Sequence, residues 1–106
     1  MRKITMDATE ALYNGRDFKQ GNTQVLAFFD FTELRLFGNL IARVGGDGIF
    51  VTLAGWNTVT TRERLNGVLS ELGLSIHTRK GDVYMTKIGG DPILWENPNE
   101  LTKVES

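Results

Sequence analysis

The chain has 106 residues, with 12 basic and 13 acidic side chains, one His, no Cys and 41% apolar residues. Those values describe one ordinary globular domain and exclude a disulfide framework or a Cys-ligated metal centre. No apolar run approaches the roughly 18 residues of a membrane span.

The first residues, Met1-Arg2-Lys3-Ile4-Thr5, are basic but have no apolar core behind them. They do not read as a signal peptide, so a cytosolic protein is expected. The end of the chain carries Asp91, Glu96, Glu100 and Glu105 against Lys103 alone, which leaves the body mildly basic. Neither the basic excess of a strong nucleic-acid binder nor the carboxylate density of an acidic DNA mimic is present.

The residues from Thr5 to Gly15 predict a first helix. Thr5 is placed to cap it, Ile4, Ala8, Ala11 and Leu12 form one apolar stripe, and Gly15 suits the left-handed position after the last turn. The polar segment Arg16–Asn22 reads as a loop anchored by Phe18. From Thr23 the period becomes two, with Val25, Ala27 and Phe29 on one face of a strand and Leu26 and Phe28 on the other. Asp30 to Thr32 reads as a turn. Leu34, Leu36, Gly38, Leu40, Ala42 and Val44 then alternate with Arg35, Phe37, Asn39, Ile41 and Arg43, which predicts one long strand with a bend at Gly38. Gly45-Gly46-Asp47-Gly48 is a hairpin turn, and Ile49, Val51 and Leu53 form the returning strand.

Thr60-Thr61-Arg62-Glu63 matches a capping box, with Thr60 as the cap of a second helix. Leu65, Val68, Leu69 and Leu72 give its apolar stripe and Gly73 its end. Leu74, Ile76 and Thr78 alternate in the next strand, Lys80-Gly81-Asp82 turns, and Val83 to Ile88 returns. After the turn at Gly89–Pro92, Ile93-Leu94-Trp95 suggests a short edge strand. The order α-β-β-β-α-β-β predicts a small α+β domain over residues 1–95, with one antiparallel sheet of about five strands and both helices on one face. Residues 96–106 read as an acidic, flexible tail.

Several chemistries lack their residues. His77 is the one histidine, no Ser lies in a G-x-S-x-G elbow, and no EF-hand loop or phosphate loop occurs. The Gly-rich runs join strand to strand, as hairpin turns do. No catalytic residue, metal ligand or cofactor is therefore assigned.

Two surfaces stand out. The segment Gly55–Asn66 sets Trp56, Asn57, Thr60, Thr61, Arg62, Arg64 and Asn66 around a helix start, where free backbone N–H groups attract anions and Trp56 could stack on a base. The plainer reading caps the helix with Thr60, plugs the core with Trp56 and pairs the arginines with Glu63 or water. The second surface is the odd-numbered face of the long strand, with Arg35, Phe37 and Arg43 beside Asn39 and Ile41. Mixed basic and aromatic residues on an open sheet suit single-stranded nucleic acid. The same residues also suit an ordinary outer face, packing under the Arg16–Asn22 loop, or a homodimer contact.

Four segments resemble a family of small uncharacterised proteins of bacteriophages and related mobile elements. They are Met1–Thr5, Gly21-Asn22-Thr23, Leu36-Phe37-Gly38-Asn39-Leu40-Ile41-Ala42, and Ala54-Gly55-Trp56-Asn57-Thr58-Val59-Thr60-Thr61-Arg62-Glu63-Arg64-Leu65-Asn66. The likeness covers about residues 1–88. It implies a setting, the cytoplasm of an infected bacterium, and no mechanism. The expected function is a non-catalytic accessory protein that binds a host or phage macromolecule. Near-zero net charge favours a protein partner. The alternative is a nucleic-acid-binding accessory protein, in which Arg35, Arg43, Arg62, Arg64, Arg79 and Lys80 meet phosphates. A third reading, a small metal-dependent hydrolase, is permitted by the Asp-bearing turns but not indicated by them.

Overall fold

Three switches of hydrophobic period, from 3.6 to two, back to 3.6 and again to two, set the architecture. The computed structural model describes residues 1–106 and has two helices and nine strands, all paired antiparallel. Helix α1 is Lys3–Asn14, followed by β1 Phe18–Gln20, β2 Thr23–Ala27, β3 Phe31–Leu36, β4 Asn39–Gly45 and β5 Gly48–Val51. Helix α2 is Val59–Ser70, followed by β6 Leu74–Arg79, β7 Asp82–Lys87, β8 Ile93–Leu94 and β9 Thr102–Val104. The expected α+β class holds, with two sheets in place of one. Six strands form a sheet in the order β1-β2-β3-β4-β5-β9, and β6-β7-β8 form a second.

Helix α1 lies against β1 to β4 and against α2, which in turn meets β4 and β6. The core fills this space. Ala8, Ala11 and Leu12 of α1 meet Leu65, Val68 and Leu69 of α2 and Val25, Leu34, Ala42 and Val51 of the large sheet. Leu65, Val68 and Leu69 of the stripe predicted for α2 are buried, while Leu72 is half-buried past the end of the helix at Ser70, and each fully buried Leu or Val of this kind contributes about 1.5–3 kcal/mol.

Several boundaries differ from expectation for identifiable reasons. Helix α1 starts at Lys3 with Arg2 at its cap position, so Thr5 is not the cap but a buried residue of the first turn. Its end is as predicted, with Gly15 at φ 65°. The Asp30–Thr32 turn lies earlier, since β3 already begins at Phe31. The long strand is in fact the hairpin β3–β4, which reverses at Phe37-Gly38 with φ of 51° and 81°. The register then shifts between Leu34 and Arg35, a bulge that turns both Ile41 and Ala42 inward. The predicted turns at Gly45–Gly48 and at Lys80-Gly81 are present.

The cap of α2 is Thr58 and not Thr60. Its hydroxyl accepts from the Thr61 N–H at 3.2 Å, and the two hydroxyls are 2.9 Å apart. Residues 96–106 are not a detached tail. β9 pairs with β5 from Ile49–Val104 to Val51–Thr102, and the Trp95 indole N–H donates to the Thr102 hydroxyl at 3.0 Å.

Candidate functional site

The two irregular connections of the large sheet's helix side converge on one cleft. The first is the β3–β4 turn, which carries Phe37. The second is the loop 52–58 between β5 and α2, which carries Trp56. Between them is a cleft of about 360 Å³ lined by Leu36, Phe37, Asn39, Ile41, Trp56, Thr58 and Thr61. Leu36 and Ile41 are buried and form its apolar floor. The bulge in β4 explains how Ile41 reaches that floor from the predicted outer face. Thr58 and Thr61 satisfy each other as the helix cap, and no charged side chain lines the cleft.

Both aromatic walls stand in water, with Phe37 73% and Trp56 58% exposed. Trp56 thus does not plug the core. Both connections also hold a non-glycine residue at positive φ, Phe37 at 51° and Ala54 at 53°. The Phe37 turn is clamped from behind: Arg35 donates to the Gly38 carbonyl at 2.9 Å and to Glu33 at 3.0 Å. The Trp56 loop is pinned by short-range turns, with the Trp56 N–H donating to Leu53 O at 2.8 Å. It is also pinned by the chain end, since Pro98 O accepts from Leu53 N–H at 2.6 Å and Asn99 Oδ1 from Gly55 N–H at 2.9 Å.

The other residues singled out in the sequence fall elsewhere. Arg64, expected at the surface, is 2% exposed. Its guanidinium donates to Thr23 at 3.0 Å, to Thr5 at 2.9 Å and to Glu63, so it is an internal tie and not a phosphate ligand. Thr61, by contrast, does border the cleft, though it is buried in the helix cap. The Asn66 amide donates to Ile76 O at 3.1 Å and accepts from Ile76 N–H at 2.7 Å, joining α2 to β6. Arg62 donates to Asn57 beside the helix start, and Thr60 is half-buried there.

The predicted basic face is likewise broken up. Arg35 pairs with Glu33 at 2.9 Å. Arg43 lies over Phe50 and Phe31, 4.9 Å and 5.7 Å from the ring centroids, and 3.9 Å from Asp47. Phe37 is in the turn and Ile41 points inward, so the five residues do not share a face. His77 is exposed and stacks on Tyr84. No group of three or more His, Asp or Glu side chains is placed to hold a metal ion, and no helix is long and apolar enough to cross a membrane.

The cleft and its two connections all lie inside a segment that defines a phage protein family. The model of the family described as Kyanoviridae Gp96 protein matches residues 1–102. The chain belongs to that family. The match extends past the roughly 1–88 of the sequence resemblance and takes in Pro98 and Asn99, which hold the Trp56 loop. No curated protein and no solved structure matches the chain. In this Kyanoviridae Gp96 protein Phe37 and Trp56 are the two exposed aromatics that meet at the cleft, whereas the sequence pattern puts them on two separate surfaces. The signal that could have joined them is the pair of X-Gly steps, Phe37-Gly38 and Ala54-Gly55. Each places an aromatic at or just beyond a tight reversal.

Proposed function

We propose that this Kyanoviridae Gp96 protein is a non-catalytic accessory protein that acts in the infected bacterial cell by holding a protein partner in the Phe37–Trp56 cleft. The observation that carries the reading is Phe37 itself. A Phe at φ 51° before a Gly occupies the position that Asn fills best in a tight hairpin, at a cost of about 1–2 kcal/mol. Core packing gives no return for it, since the ring is mostly in water. Strain of this kind is retained where an exposed group is needed.

The neutral lining favours protein over nucleic acid. An aromatic pair over an apolar floor suits an apolar side chain of a partner, with the polar Asn39 and Thr58 at the edge. Arg35, Arg43, Arg62 and Arg64 are engaged by Glu33, Asp47, Asn57, Glu63 and aromatic faces, which leaves only Arg79 and Lys80, exposed at the β6–β7 turn, free to meet phosphates. Binding through this cleft is tested by retaining partners from phage-infected host extract on immobilised protein, in parallel with Phe37→Asn and Trp56→Ala. A protein retained by the native chain and lost with both variants supports the reading. Retention that both variants leave unchanged overturns it. Oligonucleotide binding that weakens steeply with salt would replace it with the nucleic-acid alternative.

A further inference from the structure

β9 closes one end of the six-stranded sheet. It pairs with β5 on one side and with no strand on the other. An unpaired edge normally carries a bulge, a Pro or a run of charge that prevents pairing. β9 has neither bulge nor Pro. It carries one Lys, and that Lys is followed two residues later by a Glu.

Lys103 in the strand and Glu105, one residue past its end, are both exposed, while Val104 between them is buried against the core. The stem of Lys103 lies across Gly48. Beside the edge runs a groove of about 310 Å³, in which the apolar Met85, Ile93, Leu94 and Trp95 are joined by the charged Lys87, Lys103 and Glu105. Ile93 and Leu94 are 71% and 45% exposed.

We infer that this edge seats the β9 strand of a second copy of the chain, antiparallel, with Val104 opposite Val104. Charge selects both the occupant and the register. In this alignment Lys103 of each copy lies opposite Glu105 of the other, so a single two-fold contact makes two cross-strand ion pairs. Centring the pairing on Lys103 would set two lysines face to face, and centring it on Glu105 would set two carboxylates together. A shift by one residue would turn Val104 out to water. The groove beside the edge supplies the rest of the contact. Three paired residues bury far less than the about 800 Å² per partner of a standard interface, and Ile93 and Leu94 of each copy extend it. No residue of this contact lines the Phe37–Trp56 cleft, so it stands or falls independently of the partner proposed there.

The test is sedimentation of the whole chain over a wide concentration series, with circular dichroism to verify folding of the variants. The native chain is expected to dimerise reversibly. K103E sets carboxylates opposite carboxylates and E105K sets ammonium groups opposite each other, and each is expected to weaken the dimer about tenfold. An equimolar mixture of the two variants is expected to dimerise again, as is the charge-swapped double variant K103E/E105K. A native chain that stays monomeric overturns the inference, as does a dimer indifferent to both single substitutions. A loss that neither the mixture nor the double variant restores overturns the proposed register.

Discussion

Arg64 Nε donates to the Thr23 hydroxyl at 3.0 Å, which ties α2 to β2 through the interior of the domain. The same guanidinium reaches Thr5 of α1 at 2.9 Å and the carboxylate of Glu63, so one side chain fixes three elements. A buried guanidinium loses its hydration, and its partners here replace it. Removing the side chain leaves the Thr5 and Thr23 hydroxyls without their donor and Glu63 without its counter-charge. Arg64→Ala is expected to cost about 3 kcal/mol of folding stability, read from urea denaturation. Glu63→Gln is expected to cost less, because its carboxylate keeps partial contact with water. A loss below about 0.5 kcal/mol for Arg64→Ala, the range of an ordinary surface substitution, would show that the network contributes little.

Gly67 marks where the helices cross most closely. A Cβ there would lie 2.4 Å from Thr5 Cγ2 and 2.7 Å from Thr9 Oγ1. Helix propensity alone favours Ala over Gly by about 1 kcal/mol. Sterics reverse the sign, because both threonines are short, buried and held on α1. Gly67→Ala is expected to lower stability by about 2 kcal/mol net, measured in the same denaturation series. A gain in stability would mean that the helices separate freely at this point.

The contrast between Arg64 and Leu65 explains what the sequence discloses. Leu65, Val68 and Leu69 lie on the buried face because apolar spacing reports burial directly. Arg64 reads as solvated because the hydroxyls that accept from it, on Thr5 and Thr23, are 59 and 41 positions away. The Thr60 capping box failed for a related reason: Glu63 is occupied by Thr5 and Arg64. The hairpin at Phe37-Gly38 was hidden because Phe is a poor residue for positive φ, whereas Lys80-Gly81 was legible from its polar setting. The last strand was masked by its exposed charges, with only Val104 and Trp95 to mark the buried side. The cleft depends on that hidden hairpin and on the bulge at Ile41, so its two walls were legible singly and not as a pair.

Phe37 allows stability and binding to be moved in opposite directions. Phe37→Asn places an Asn-Gly pair in the left-handed turn and relieves strain, with an expected gain of about 1 kcal/mol. Little packing is lost, since the ring is exposed. The same substitution removes one wall of the cleft and is expected to abolish partner retention. A higher melting temperature with retained binding would remove Phe37 from the site.

Tyr13 gives the fold a limit at high pH. Its hydroxyl donates to the Val68 carbonyl at 2.8 Å, and burial, then the nearby charge of Glu71, push the phenol up to about 12. The folded state thus keeps its proton where the unfolded chain, with a phenol near 10, has lost it. Stability is fully present below pH about 10 and falls as pH rises through about 12. Tyr13→Phe is expected to flatten this part of the profile while costing about 1 kcal/mol at neutral pH for the lost hydrogen bond. Denaturation midpoints between pH 9 and 12, a range set by the phenol's ordinary value, test both effects; an unchanged alkaline slope in Tyr13→Phe would assign the loss to other groups.

Asn99 separates the presentation of Trp56 from the stability of the domain. Its Oδ1 accepts the Gly55 N–H at 2.9 Å, one residue before the indole, and its own side chain is exposed. Removing an exposed acceptor costs about 0.5–1 kcal/mol, because water replaces it. The loop, however, loses its only contact with a side chain of the chain end, while the bonds to Pro98 O from Leu53 N–H at 2.6 Å and from the Thr52 hydroxyl at 3.2 Å remain at its start. Asn99→Ala is therefore expected to lower the nitrogen-15 order parameter of the Trp56 indole and to weaken partner binding, with the indole of buried Trp95 unchanged as an internal control. Rigid Trp56 in Asn99→Ala would mean that the bonds from Trp56 N–H to Leu53 O and from Thr58 N–H to Trp56 O suffice to hold the wall of the cleft.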